Sequence, residues 1–163
     1  MKVTAYVALG ANLGDPVATV RAAIEALRHM AGTRFVAASS LYRTAPVGLH
    51  HQPDFINAVA MLEVERAVLP APSLLDRLFA IEADFGRVRS VKNAPRTLDL
   101  DLLLYGDQPL DLPGLTLPHP RMTERAFVLA PLAEIAPDLA IPGHGHLADL
   151  LLAVAGQRIA RLA

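Results

Sequence analysis

Apolar and polar positions alternate from the start of the chain. Val3, Ala5, Val7 and Leu9 interleave with Thr4, Tyr6 and Ala8, a period of two that predicts a half-buried strand running into a turn between Gly10 and Gly14. Asp15 followed by Pro16 supplies an N-cap and a first helical residue whose missing N–H is no loss there. Val17, Val20, Ile24, Leu27 and Ala31 then recur at helical spacing, and Gly32 stands where a helix commonly stops. Residues 34–43 read as a second strand. Residues 55–65 read as a third, with Ile56, Ala58, Ala60, Leu62 and Val64 on one face. Ser73, with Asp76 at the capping-box position, predicts a second helix whose stripe is Leu74, Leu78, Ile81 and Phe85 and whose end is Gly86.

The run "PRTLDLDLLLY", residues 95–105, predicts a fourth strand. The resulting order, β-α-β-β-α-β, is that of a ferredoxin-like α/β sandwich. Further helices are expected over residues 123–136, interrupted by Pro131, and over 146–155. No repeat or internal boundary appears, so residues 1–163 are expected to form one domain.

Parity places Leu98, Leu100, Leu102 and Leu104 on one face of the fourth strand and Asp99, Asp101, Leu103 and Tyr105 on the other. Two aspartates sharing a face have Cα atoms about 7 Å apart. Their charges repel by roughly 2 to 3 kcal/mol at an effective dielectric of 20. An exposed strand face would tolerate that. A leucine-rich one calls for a cation, and magnesium is the natural candidate, because it takes one or two carboxylates and completes its shell with water and phosphate oxygens.

Composition narrows the classes. The chain is 53% hydrophobic and 19% charged, with a net charge of -1 and no cysteine. It therefore has a core, no disulfide or thiolate metal site, and no global attraction to nucleic acid or anionic membrane. Without a long apolar run or a signal-peptide pattern, the expected location is the cytoplasm. Neither G-x-x-x-x-G-K-[ST] nor G-x-G-x-x-G occurs, so phosphate would have to be held by local cations. Those exist: Arg87, Arg89, Lys92 and Arg96 precede the aspartates, and His119, Arg121 and Arg125 follow them. Carboxylates beside a cationic loop suit phosphoryl transfer. A palm-like nucleotidyl transferase, or a non-catalytic ligand- or RNA-binding module on the same sheet, remains an alternative. The RNA version is disfavoured by a third strand of mainly Ala, Val and Met.

"YVALGANLGDP", "SSLYRTAPVG", "QPDFINAV", "FGRVR", "APRTLDLDLLLYG", "LPHPRM" and "ERAFVLAPLAEIAPDL" occur in that order over about residues 6–139. In this the chain resembles the 6-hydroxymethyl-7,8-dihydropterin pyrophosphokinases of folate biosynthesis. The resemblance implies transfer of the diphosphate of ATP to the pterin hydroxymethyl group, with release of AMP and with two magnesium ions. It implies that Asp99 and Asp101 hold the ions, that Arg87 and Arg96 support the transfer, and that Arg89, Thr116, His119 and Arg125 contact ATP. Thr44, Val47, Phe55, Asn57 and Phe127 would hold the pterin, the two phenylalanines as a sandwich, with Asn12 bordering the pocket. No obligate protein partner is implied. Glu82, near the end of the second helix, would ordinarily be solvated, although the family keeps an acid there. The chain departs from many relatives in having no tryptophan in the arginine loop, Gly114 where some place an arginine, and Phe55 where some have tyrosine.

Overall fold

In a computed structural model of the chain the described residues are 1–45, 52–86 and 97–162. Along them run β1 (Lys2–Ala11), α1 (Pro16–Arg28), β2 (Thr33–Ala38), β3 (Tyr42–Thr44), β4 (Phe55–Glu65), α2 (Ala71–Asp84) and β5 (Asp99–Tyr105). A hairpin of β6 (Leu110–Leu112) and β7 (Leu115–Leu117) follows, then a single 3-10 turn at Met122–Glu124 and α3 (Ala126–Ile135). The described chain ends with β8 (Ala140–Ile141), β9 (Gly145–His146), α4 (Leu147–Ala153) and β10 (Ile159–Arg161).

The main sheet runs β10-β3-β4-β1-β5, with β2 also paired to β4, and the pairs are antiparallel. This is the expected ferredoxin-like arrangement, its second strand divided in two and one short strand added at the edge. Val20, Ala23 and Leu27 of α1 and Leu74 and Leu78 of α2 pack on one face, against Val3, Ala5, Val7, Leu9 and the even-numbered apolar residues of β4. Leu129 and Leu132 of α3 and Leu147 of α4 pack on the other, against Tyr6, Val59, Leu103 and Leu104. The second layer explains why β1 is more deeply buried than its alternation predicts: Tyr6, on the supposed outer face, lies beneath α3 and α4. No helix among the described residues is long and apolar enough to cross a membrane.

Asp15 caps α1 as expected, accepting from the Ala18 N–H at 3.2 Å, with Pro16 first in the helix. Other expectations need correction. The strand expected over 34–43 is two, because regular pairing with β4 stops after Ala38 and resumes only at Tyr42; at Ser39 the N–H still donates to the Val59 carbonyl at 2.9 Å, but the Val59 N–H goes to the Ser39 hydroxyl, also at 2.9 Å. Helix α2 begins at Ala71, before Ser73, with Pro70 as N-cap and no side-chain cap. A proline in the first turn presets the backbone and has no N–H to satisfy, so the Ser73–Asp76 box is not the start signal. Pro131 does not interrupt α3; it is buried inside the helix. The parity of β5 holds to Leu103. Val7 faces Leu102 but Tyr6 faces Leu104, so Leu103 is the extra residue of a bulge, and Leu104 and Tyr105 exchange faces.

Candidate active site

Antiparallel pairing sets the floor of a cleft at the end of the sheet. Gly10 of β1 lies between Asn57 of β4 and Asp99 of β5, and Ala8 lies between Val59 and Asp101. Small residues on the central strand leave room above them. Around that room gather Thr44, Phe55, Asn57, Asp99, Asp101, Arg125 and Phe127, together with Ala45 and Val128.

The two aspartates are half-buried on the face toward α3. The strand is held from the other layer by Glu82, whose carboxylate is 1% exposed and accepts from the Leu100 N–H, between the aspartates, at 2.7 Å. Glu82 is thus buried, which corrects the expectation of a solvated side chain. It stands four residues after Leu78 and eight after Leu74, on the buried stripe, and that spacing was the signal. As donors, two carboxylates with no sulfur suit a hard cation such as magnesium. Among the described residues no group of three His, Cys, Asp or Glu converges on one metal position. The pair would therefore leave most of a magnesium shell to water and phosphate.

His119 follows the cis Leu117–Pro118 bond, and its backbone N–H donates to the Leu103 carbonyl at 2.9 Å. Its Nε2 lies 4.0 Å from Asp101 Oδ1 while Nδ1 accepts from the Arg121 N–H at 3.3 Å. Burial first, then the charges of Arg125 and Arg121, push its pKa down against the opposing pull of Asp99. Geometry and charge agree on a neutral imidazole carrying its proton on Nε2, toward Asp101.

On the opposite side Asn57 and Thr44, each 5% exposed, are joined by a 2.8 Å hydrogen bond from Asn57 Nδ2 to Thr44 Oγ1. That orientation turns Asn57 Oδ1 over Gly10, where an added Cβ would lie 3.1 Å away. Phe127 lies in the first turn of α3, half-buried, with the Arg125 guanidinium 5.4 Å from its ring centroid. Phe55 opens β4, also half-buried. Asn12, 1% exposed, donates to Gln52 Oε1 at 2.7 Å and the Pro53 carbonyl at 3.1 Å, tying down the approach to β4. Thr116 is apart from the cleft lining: it is exposed on β7, its hydroxyl 3.3 Å from Asp111 Oδ1. Val47, Arg87, Arg89 and Arg96 lie outside the described residues.

The sequence profile of 7,8-dihydro-6-hydroxymethylpterin-pyrophosphokinase (HPPK) matches residues 6–137. A Pseudomonas aeruginosa protein named 2-amino-4-hydroxy-6-hydroxymethyldihydropteridine pyrophosphokinase is 51% identical over 96% of this chain and 95% of its own length. The Haemophilus influenzae protein of that name is 43% identical over 98% of both chains. Among solved structures, a Plasmodium falciparum HPPK-DHPS superposes with a TM-score of 0.76 at 14% identity, over 96% of this chain and 44% of that one. The chain thus spans under half of that larger protein, and the likeness to it concerns the fold. With a matching profile over most of its length and near-full-length relatives above 40% identity, this chain belongs to the 7,8-dihydro-6-hydroxymethylpterin-pyrophosphokinase family.

Proposed function

We propose that the protein transfers the diphosphate of ATP to the hydroxymethyl group of 6-hydroxymethyl-7,8-dihydropterin, releasing AMP, in folate biosynthesis and in the cytoplasm. The observation that carries the reading is the cleft itself. It sets a carboxylate pair suited to a phosphate-bridging cation opposite a buried amide, a buried hydroxyl and two aromatic rings.

Asp99 and Asp101 would hold two magnesium ions, which supply neutralisation of phosphate charge when bound. The pterin edge would be read by Asn57 Oδ1 as acceptor, its amide fixed by Thr44. Phe55 and Phe127 would cover the faces of the ring at offset-stacking distance. Val47 would add a contact from the segment after Thr44. His119, with a proton on Nε2, is a hydrogen-bond donor toward phosphate beside Asp101. Arg125 brings a fixed positive charge to the cleft lining. Arg87 and Arg96 would neutralise charge on the transferred group, with Arg89 a further nucleotide contact; Thr116 would contact ATP from the hairpin. The substrate hydroxyl attacks the β-phosphorus in line and AMP leaves. No side-chain nucleophile is needed, so the protein acts by positioning and charge.

Product analysis tests this. The purified protein with magnesium, ATP and the reduced pterin alcohol is expected to form AMP and pterin diphosphate in equal amounts. Release of inorganic diphosphate instead would indicate nucleotidyl transfer. Full activity in Asp101→Asn would end the mechanism.

A further inference from the structure

Residues 157–161 touch both walls of the cleft without lining it. Gln157 Nε2 donates to the Glu124 carbonyl at 2.7 Å, and Gln157 Oε1 accepts from the Ala126 N–H at 2.9 Å. One amide therefore brackets Arg125, the N-cap of α3, a helix with no side-chain cap from that residue. Two residues later β10 begins. Ile159 pairs with Thr44, Ala160 with Arg43 and Arg161 with Tyr42. Arg161 Nε reaches Ser40 Oγ at 3.0 Å and its Nη2 reaches Glu134 at 3.4 Å. Glu134, on the last turns of α3, also accepts from the Ser40 N–H and from the Tyr42 hydroxyl at 2.7 Å. A five-residue segment is thus fixed to the start of α3 at one end and to β3 at the other.

Those are the elements that carry Arg125 and Phe127 on one side and Thr44 on the other. The first N–H groups of a helix lack intrahelical partners, so the residue that satisfies one also fixes where the helix starts. We infer that Gln157 is a positioning residue, which through the 157–161 segment fixes Arg125 and Phe127 relative to Thr44 and so sets the gap in which the pterin lies. Gln157 is beyond residues 6–137, the span of the family match. The inference rests on the reading of the cleft under Proposed function.

Gln157→Ala is the test. With magnesium and a non-hydrolysable ATP analogue present, calorimetric titration of the pterin is expected to show about 3- to 10-fold weaker binding, the factor a neutral hydrogen bond carries. The KM for pterin should rise by a similar factor, kcat should change less, and the melting temperature should fall by several degrees, since the Ala126 N–H loses its partner. A purely structural role would lower the melting temperature and leave KM alone. In the ligand-free protein, hydrogen exchange at the Ala126 amide should speed up. Unchanged pterin affinity in the variant overturns the inference, and so does unchanged exchange at Ala126. If the wild-type protein binds neither ligand, the reading of the cleft falls, while the exchange experiment still decides whether Gln157 fixes the start of α3.

Discussion

Gly10→Ala asks whether Asn57 reads the pterin edge. The added Cβ would lie 3.1 Å from Asn57 Oδ1 and 3.9 Å from the Ile56 carbonyl oxygen, so the amide must retreat by a few tenths of an ångström. It has little slack, being 5% exposed with its Nδ2 held by Thr44 Oγ1 at 2.8 Å. Weakening that bond and misaiming Oδ1 together should cost about 1 to 2 kcal/mol of pterin affinity, or roughly 5- to 30-fold in Kd. Stability is expected to change by a comparable amount, but without distinguishing the two ligands. Gly10 is in extended β1 backbone, where alanine stabilises by about 0.4 to 1 kcal/mol through the unfolded chain, against a crowding cost of about 1 to 3 kcal/mol. The net loss of about 0 to 2.6 kcal/mol corresponds to a fall in Tm of at most about 10 °C in a chain of this size. Calorimetry should therefore show weakened pterin binding with the affinity for the magnesium–nucleotide analogue kept. Unchanged pterin affinity, or an equal loss for nucleotide and pterin, would refute the assignment of Asn57.

Asp101→Asn removes half of the like-charge pair on β5. The ligand-free variant should melt no lower than wild type, yet lose the rise in Tm with magnesium and ATP and about 100- to 1,000-fold in kcat/KM. Glu82→Ala leaves the Leu100 N–H without its carboxylate and should cost about 1 to 3 kcal/mol, seen in urea unfolding, whereas Glu82→Gln, which keeps an oxygen there, should lose less. The phenol of Tyr42 is pushed up to about 12, first by burial and then by its hydrogen bond to the Glu134 carboxylate, with Arg161 opposing. Because the folded value is raised above an unfolded value of about 10, this stability is complete below pH 10 and disappears as pH climbs toward 12. Wild type should therefore lose about 2 to 3 kcal/mol more than Tyr42→Phe between pH 9 and 12, and parallel losses would refute the linkage.

Much of this was legible because local rules and the tertiary structure agree. Asp15 and Pro16 begin α1, and the five alternate apolar residues from Ile56 to Val64 do line one face of β4. The opposite parity of that strand brings Phe55 and Asn57 to the cleft. What could not be read depends on residues far apart in the chain. The bulge at Leu103 is a mismatch between β1 and β5, which neither strand encodes alone. The break at Ser39 depends on the Val59 N–H twenty residues away. Gln157 sits in a segment with no strong periodicity, and its role follows only from where α3 ends up.

The placement of Glu82 shows how the fold makes room for the acidic pair. A strand at the edge of a sheet leaves alternate N–H groups without a ladder partner, and β5 is such a strand. The Leu100 N–H, between Asp99 and Asp101, is taken by a carboxylate from α2 on the other layer. That bond fixes the backbone from which both aspartates project, without using either aspartate to do it. Both side chains line the cleft, half-buried above a floor of Ala8 and Gly10. Three carboxylates around one strand would be a poor arrangement for stability alone, since each adds to the others' repulsion. It becomes coherent when, as proposed above, the strand presents negative charge to a cation that in turn meets phosphate, with Arg125 on the same cleft lining.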